Sequence, residues 1–434
     1  MRRVTIAVLT TLITFALFLF PPQVSSTYVS KYWAVIVCGS SEFQPDPERL
    51  YNVLMDSYNF DGILYLSVNT SNPNVNLETT HANLKYALKD WLNQSTADDL
   101  IFIFIETHGG GYRRNTPECY GDELKPAFFP DTEDSGWAEI DSDEGFEFTE
   151  AHIQEDVNGD GEISDTTWVG TDEYLSLDPA SGTETVWDDE VRYWLSCLQY
   201  RRLITFIGAC RAPSNKTEAC FSGGFIDDLS APRRIIITSS NETYWSWYER
   251  ETGQHYFGRE FINALDPTNS AWELASNLVD EDGATSILEA YFYAYNHDMA
   301  RKYVRTEAGT VPDPFIEKYT PYLAKLMDES PWFDDGGNFL PTFKNGTDVG
   351  DGDFQDGYLA RCTWLAKERY SSCVEDVNDD YRVDLTDVFL AARNYGCFFP
   401  GNWDSQCSLV DINEDNEIDL KDYMAIALMF GWTA

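Results

Sequence analysis

The run Leu100–Gly111, LIFIFIETHGGG, constrains this chain most. Its apolar part is too short for a buried helix, and it is bounded by acids on one side and glycines on the other. It therefore reads as a strand buried on both faces. The glycines after His108 let backbone approach another segment or a ligand closely. A second run of the same kind, Leu203–Ala209 (LITFIGA), is followed at once by Cys210 and then by Cys220. Strands that are apolar throughout belong to parallel sheets covered by helices, and ligands of such sheets bind beyond the carboxyl ends of the strands. A histidine and a cysteine at neighbouring strand ends put a thiol beside a proton carrier. Taken singly, His108 reads as a core histidine and the cysteines as structural thiols; their joint placement favours chemistry.

The rest of the first 240 residues follows a strand–helix rhythm. Trp33 to Gly39 is a buried strand, and Pro47 to Phe60 a helix with Leu50, Val53 and Leu54 at helical spacing. Gly62 to Val68 is a second strand. Thr80 to Gln94 is a helix with Leu84, Leu88 and Leu92 on one face. Trp187 to Gln199 is a helix that leads into the cysteine strand, and Arg234 to Ser240 is a fifth strand. This alternation predicts a mainly parallel sheet with helices on both faces.

A hydrophobic block ending in ThrHisGlyGly (residues 107 to 110) and a second one leading to CysPheSerGlyGlyPheIleAspAspLeu (residues 220 to 229) resemble the caspase-like, clan CD cysteine peptidases, a group that includes legumain and clostripain. The second motif is fairly specific, whereas HisGlyGly alone is weak. The resemblance covers roughly residues 28 to 330, and it matches poorly in the middle of that span. It implies a caspase-like three-layer α/β sandwich, with Cys220 as nucleophile and His108 as proton carrier. It also implies that backbone amides of Gly109 and of the cysteine hold the oxyanion. In the family the nucleophile directly follows its strand, but here ArgAlaProSerAsnLysThrGlu lies after Cys210. Cys210 has the strand and Cys220 has the SerGlyGly. Cys220 is preferred because glycines and a helix start shape an oxyanion site, and a helix dipole lowers a thiol pKa.

The chain begins with Arg2 and Arg3, then an apolar run from Val4 to Phe20, two prolines and small residues, which reads as a secretory signal over residues 1–26. An uncleaved N-terminal anchor is the other reading of that run. Export agrees with the sequons at Asn69, Asn93, Asn215, Asn241 and Asn345. Nine cysteines in an exported chain imply some disulfides and at least one thiol left over. Cys362, Cys373, Cys397 and Cys407 can pair among themselves, leaving an odd number in the N-terminal part. The net charge of −43 argues against a nucleic-acid partner, and aromatic residues are too abundant for a disordered chain. The expected location is secreted or at the cell surface, with no membrane contact beyond the signal segment.

Calcium enters three times. Between the histidine and cysteine strands lies an acidic insertion of about residues 116–186. It contains Asp156, Asn158, Asp160, a glycine at 161 and Glu162, the spacing of a calcium loop. Position twelve there is Thr167, so the site needs another oxygen such as Asp165. After residue 330 the texture turns to Pro, Gly, Asp and Asn, and residues 331–369 read as a linker or domain edge. Residues 370–434 then hold a tandem repeat. Asp376, Asn378, Asp380, Arg382 (through its carbonyl), Asp384 and Asp387 precede one helix. Asp411, Asn413, Asp415, Glu417 (through its carbonyl), Asp419 and Asp422 precede another. This repeat resembles a dockerin, a small all-α module of paired calcium loops, and the resemblance implies a cohesin-type partner. Tyr381 and Asn416 stand at position six, where glycine is usual, so the first loop is expected to bind less tightly.

The sequence thus predicts a peptidase domain over 27–330 and a dockerin-like domain over 370–434, with Ca2+ as the bound ion and a protein or peptide as substrate. The function expected is a cysteine endopeptidase acting through a Cys-His dyad. Two other classes stay open: an inactive binding module of the same fold, and a calcium-stabilised surface scaffold whose thiols are all structural. The residue preceding the cut bond is not legible.

Overall fold

The computed structural model describes residues 30–111, 173–210, 222–240, 246–249, 251–279, 283–298, 331–335, 358–367, 385–396, 407–412 and 417–429. The elements of the larger unit come in this order: β1 (Tyr32–Cys38), α1 (Pro45–Ser57), β2 (Gly62–Ser67), β3 (Leu77–Glu78), α2 (His81–Lys85) and β4 (Leu100–Gly111). Next come β5 (Glu173–Leu177), β6 (Glu184–Trp187), α3 (Asp188–Leu195), β7 (Arg202–Cys210), α4 (Phe225–Leu229), β8 (Arg234–Thr238), β9 (Tyr248–Glu249) and β10 (Gln254–His255). The last are α5 (Tyr256–Leu265), α6 (Ser270–Ala275), α7 (Ile287–His297), β11 (Trp332–Asp334) and α8 (Tyr358–Arg361).

A nine-stranded sheet runs in the order β11-β8-β7-β4-β1-β2-β3, with β5 and β6 added beside the end of β4. Strands β8, β7, β4, β1, β2 and β3 are parallel, and only β11, β5 and β6 run against their neighbours. The continuous apolar runs explain the middle of the sheet: β1 is buried at every residue, and Leu100 to Ile105 of β4 are all buried. On one face α1 and α5 pack against the sheet and α7 packs on α5. There Phe104, Phe206 and Phe261 stack in a row, with centroids 4.6 and 5.1 Å apart. On the other face the helical run 81–94, α3 and α4 pack together. The expected mainly parallel sheet between two helical layers is therefore present.

Details differ from the sequence reading. The helix expected over 80–94 is α-helical only over His81–Lys85; it widens to a π turn over Tyr86–Trp91 and tightens to 3-10 geometry over Leu92–Gln94. The wide turn brings Leu88, Trp91 and Leu92 inward together, and Trp91 meets Trp33 edge to face at 5.6 Å. Asp99 is fully buried because its carboxylate accepts from Lys31 N, Thr96 N and Trp33 Nε1. The last part of the acidic insertion, Glu173 to Trp187, is a β-hairpin belonging to the main sheet. Within the stretch read as a linker or domain edge, Trp332–Asp334 forms the edge strand, and Leu359, Ala360, Cys362, Trp364 and Leu365 join the main core.

A second, smaller core lies near the C-terminus, formed by α9 (Leu385–Arg393), α10 (Cys407–Val410) and α11 (Leu420–Met429). Ala391, Cys407, Val410, Ile418 and Ile426 make up its buried centre. Among the described residues no helix is long and apolar enough to cross a membrane. The signal expected over 1–26 lies outside the described residues.

Candidate functional site

β4 does not stop at its histidine. It pairs in parallel with β1 as far as Glu106 and with β7 as far as His108, and its glycines continue as an antiparallel partner of β5. His108 therefore sits where the parallel sheet ends, as expected, but the three glycines form strand rather than a loose rim. Gly109 has a steric reason: a β-carbon there would stand 2.9 Å from the Tyr174 carbonyl oxygen and 3.0 Å from the Ala209 methyl. The glycine lets β5 and β7 close against β4 at this point.

The His108 side chain is only 5% exposed. A 3-10 turn at Ser41–Phe43, directly after β1, covers it. The Phe43 ring meets the imidazole edge to face at 4.9 Å, and Glu42 Oε2 lies 3.6 Å from His108 Nε2. Tyr248 of β9 donates its hydroxyl to the same Glu42 oxygen at 2.7 Å, and its ring packs on Phe43 at 5.1 Å. Neither Glu42 nor Tyr248 stands out in the sequence, since both lie in turn or short-strand segments without periodicity.

In the pairing of β7 with β4, Cys210 is the register partner of His108, so their backbones are neighbours across one strand spacing of about 4.8 Å. Cys220 lies outside the described residues, but the motif that contains it resumes at Ser222. Ser222–Gly224 form a 3-10 turn packed against β4 and β7. Ser222 is fully buried, and its Oγ accepts from Ser240 N at 3.1 Å. The helix start expected after the cysteine is present, but α4 spans only five residues, which limits its dipole.

Cys362 and Cys407, toward the C-terminus, are buried, and two further cysteines of the N-terminal part are described. Cys38 is buried, its Sγ donates to the Ser40 carbonyl at 3.1 Å, and burial pushes its pKa up to about 12, with Glu106 adding to the rise. Such a thiol is inert at neutral pH. Cys197 is exposed but precedes β7, so it lies at the opposite end of the strands, about 25 Å of strand from the His108 end.

Beneath the histidine lies a cluster of buried polar groups. Glu106, two residues earlier on the same face of β4, is fully buried, and neither carboxylate oxygen has a hydrogen-bond partner among the described residues. Burial holds its carboxyl well above the usual range, and the neighbouring Asp46 raises it further. Burial also raises Asp46, to about 6, against the bonds it accepts from His255 N and Gln254 Nε2. His255 makes a 2.5 Å bond with Ser246 Oγ, a pairing that resembles a nucleophile and its base. The bonds of the ring favour the opposite direction. Nδ1 accepts from Gly258 N at 3.2 Å, so Nε2 carries the proton and donates it to Ser246. Burial lowers His255 to about 3, which keeps the ring neutral. His255 caps the start of α5, its side chain accepting from Gly258 N.

Of the expected calcium ligands, Asp156, Asn158, Asp160, Glu162, Asp376, Asn378, Asp380, Arg382, Asp384, Asn413 and Asp415 lie outside the described residues. Among the described residues no group of three or more His, Cys, Asp or Glu is gathered as a metal site. Asp387 of the first loop and Asp411, Glu417, Asp419 and Asp422 of the second are described. Asp411 and Asp422, the first and twelfth positions, are both buried. Asp422 accepts from Ile412 N at 2.8 Å and from Asp419 N at 2.9 Å, so the twelfth position grips the second and the ninth.

The chain matches no protein-family model. No curated protein matches it. Among solved structures it is similar to the crystal structure of protein GSU0716 from Geobacter sulfurreducens, with 11% identity and a TM-score of 0.30, over 54% of this chain and 81% of that one. A likeness this weak carries no argument.

Proposed function

We propose that this chain is a secreted, caspase-like cysteine endopeptidase with a His108 and Cys220 dyad, held to a cohesin-type partner by a calcium-dependent, dockerin-like tail. One observation carries the peptidase reading. A nearly buried histidine stands at the carboxyl end of a parallel sheet, and the Ser222–Gly224 turn of the CysPheSerGlyGly motif packs against that strand end. The burial of Cys38 and the position of Cys197 at the far end of the strands narrow the choice of nucleophile. In the reaction proposed, His108 takes the thiol proton and the cysteine sulfur attacks the peptide carbonyl. His108 then protonates the departing amine. Water, with its proton drawn off by the same imidazole, releases the acyl group and restores the thiol. Backbone N–H groups at Gly109 and at the cysteine hold the oxyanion.

A second reading has Cys210 as the nucleophile, and its register with His108 favours it. A thiol-reactive peptidyl probe separates the two. Incubation with the active protein, digestion and mass spectrometry should find the adduct on Cys220. An adduct on Cys210 moves the nucleophile to the strand end. Absence of any adduct on either cysteine, with no cleavage of a peptide library, leaves an inactive module or scaffold.

The tail reading is supported by the two backbone bonds that Asp422 accepts and by several exposed apolar side chains. Leu385 and Leu420, both at loop position ten, are 57% and 52% exposed, and Phe389 and Tyr395 are 67% and 59% exposed. Uncovered apolar side chains on so small a core are what a protein partner would cover. Calcium would be held by Asp411, Asn413, Asp415, the Glu417 carbonyl, Asp419 and Asp422, by the matching set from Asp376 to Asp387, and in the insertion by Asp156, Asn158, Asp160 and Glu162. It would neutralise carboxylates that otherwise repel one another. Chelation should therefore unfold the tail and abolish capture by a cohesin-type domain, while the large core keeps its circular dichroism signal. A tail that stays folded in chelator defeats this reading.

A further inference from the structure

We propose that Glu42 is the positioning residue for His108, with Tyr248 fixing its carboxylate. The inference rests on the cysteine-peptidase reading and adds a third member to its site. Glu42 Oε2 lies 3.6 Å from His108 Nε2 and accepts the Tyr248 hydroxyl at 2.7 Å. Three separate segments thus converge on the imidazole: the turn after β1, the end of β4 and the β9–β10 hairpin.

Each segment is pinned. The turn is fastened at its start, where Gly39 N donates to the Glu106 carbonyl at 2.8 Å, and Phe43 N closes it on the Ser40 carbonyl at 3.2 Å. Phe43 fills the angle between His108 and Tyr248 and excludes water from one side of the ring. Gly253, in the hairpin, has φ +70°, and a β-carbon there would stand 2.3 Å from the Glu42 carbonyl oxygen. Only glycine lets the hairpin approach the turn so closely, which brings Tyr248 within reach of the carboxylate.

The chemistry follows from which nitrogen faces the carboxylate. A carboxylate beside Nε2 favours the tautomer with its proton there, which makes Nδ1 the basic nitrogen. When the thiol proton moves to Nδ1 the ring becomes a cation, and Glu42 stabilises that cation and keeps the ring from turning. Because the Glu42 side chain is 43% exposed, solvent weakens the attraction, and the expected effect is modest.

The test uses the full-length protein. E42Q keeps the size of the side chain and removes its charge. It should lower kcat by about tenfold with KM changed less than about twofold, because Glu42 acts through the histidine and not on substrate. Y248F should lower kcat in the same direction by less, and E42D should recover part of the loss. Nitrogen-15 spectra of the imidazole provide a readout that needs no substrate: the Nε2–H tautomer of His108 should be depleted in E42Q. An unchanged tautomer and unchanged kcat in a folded E42Q protein would overturn the proposal. Absence of cleavage by the unsubstituted protein would instead defeat the peptidase reading, while the tautomer measurement would still decide what Glu42 does. If E42Q fails to fold, the kcat and tautomer of Y248F decide.

Discussion

Replacing His108 by alanine, or Cys220 by alanine, should each reduce kcat/KM for peptide cleavage by about three orders of magnitude or more. Both changes remove the covalent route itself, so the double variant should be no worse than the single ones. This non-additivity distinguishes a dyad from two residues that contribute separately. Cys210→Ala is the control: it should retain most of the activity if the nucleophile belongs to the CysPheSerGlyGly motif. The opposite pattern, with Cys210→Ala dead and Cys220→Ala active, would assign the nucleophile to the residue paired in register with His108. His108→Ala also removes a buried ring that packs on Phe43, so unfolding must be followed in parallel. His108→Asn, which refills part of the space, should be equally inactive and lose less stability.

The strands that build the site were legible because their burial is complete. A strand covered on both faces is mostly apolar, and β1, the first six residues of β4, most of β7 and Ile235–Ile237 of β8 show that as near-continuous runs. Their order in the sheet is not written in those runs, since period and composition are alike in all of them. The short strands escaped notice for a different reason. Glu173–Leu177 and Glu184–Trp187 lie in a strongly acidic stretch, and Trp332–Asp334 is three residues among prolines, glycines and acids. Each is held by pairing with a strand far away in sequence, which leaves little local signature. His108 was legible because it ends an apolar run. Glu42 was not, because its role comes from contact across 66 positions of sequence, and a single turn glutamate looks like ordinary surface. Glu106 is the opposite case: an acid at the end of a buried strand is visible in the sequence, but its lack of partners is visible only in three dimensions.

That lack of partners predicts a large effect on stability. Glu106 is packed between Gly208 and Gly258: a β-carbon on Gly258 would stand 2.3 Å from Glu106 Oε1, and one on Gly208 would stand 3.0 Å from its Cγ. There is no room for the carboxyl to turn toward solvent, so burial keeps its pKa raised in the folded chain. Asp46 faces it from α1 and disfavours a second charge, while Arg49 and Arg259 act on Asp46 in the opposite sense. Cys38 and Tyr65, on β1 and β2, feel the Glu106 carboxyl in turn, and His255 stays neutral. The direction with pH follows from the raised value. Below the ordinary 4.5 both folded and unfolded chains hold the proton, and stability is whole. As pH rises above that point the unfolded chain releases the proton while the folded one keeps it, so stability falls steadily toward the folded pKa. Asp46 adds a smaller fall between its ordinary 3.8 and about 6. Glu106→Met, unbranched and similar in length, removes the acid without a new polar group. It should raise stability at pH 8 by about 1–3 kcal/mol, the cost of a buried polar group without a hydrogen-bond partner. Glu106→Gln should gain less, because its amide brings two buried donors. Chemical denaturation from pH 5 to 9 measures both. The expected result is a shallower decline in Glu106→Met, with its advantage growing as pH rises. A variant less stable than the parent at pH 8, or one with the same slope, would mean that Glu106 is charged and paired in the native protein.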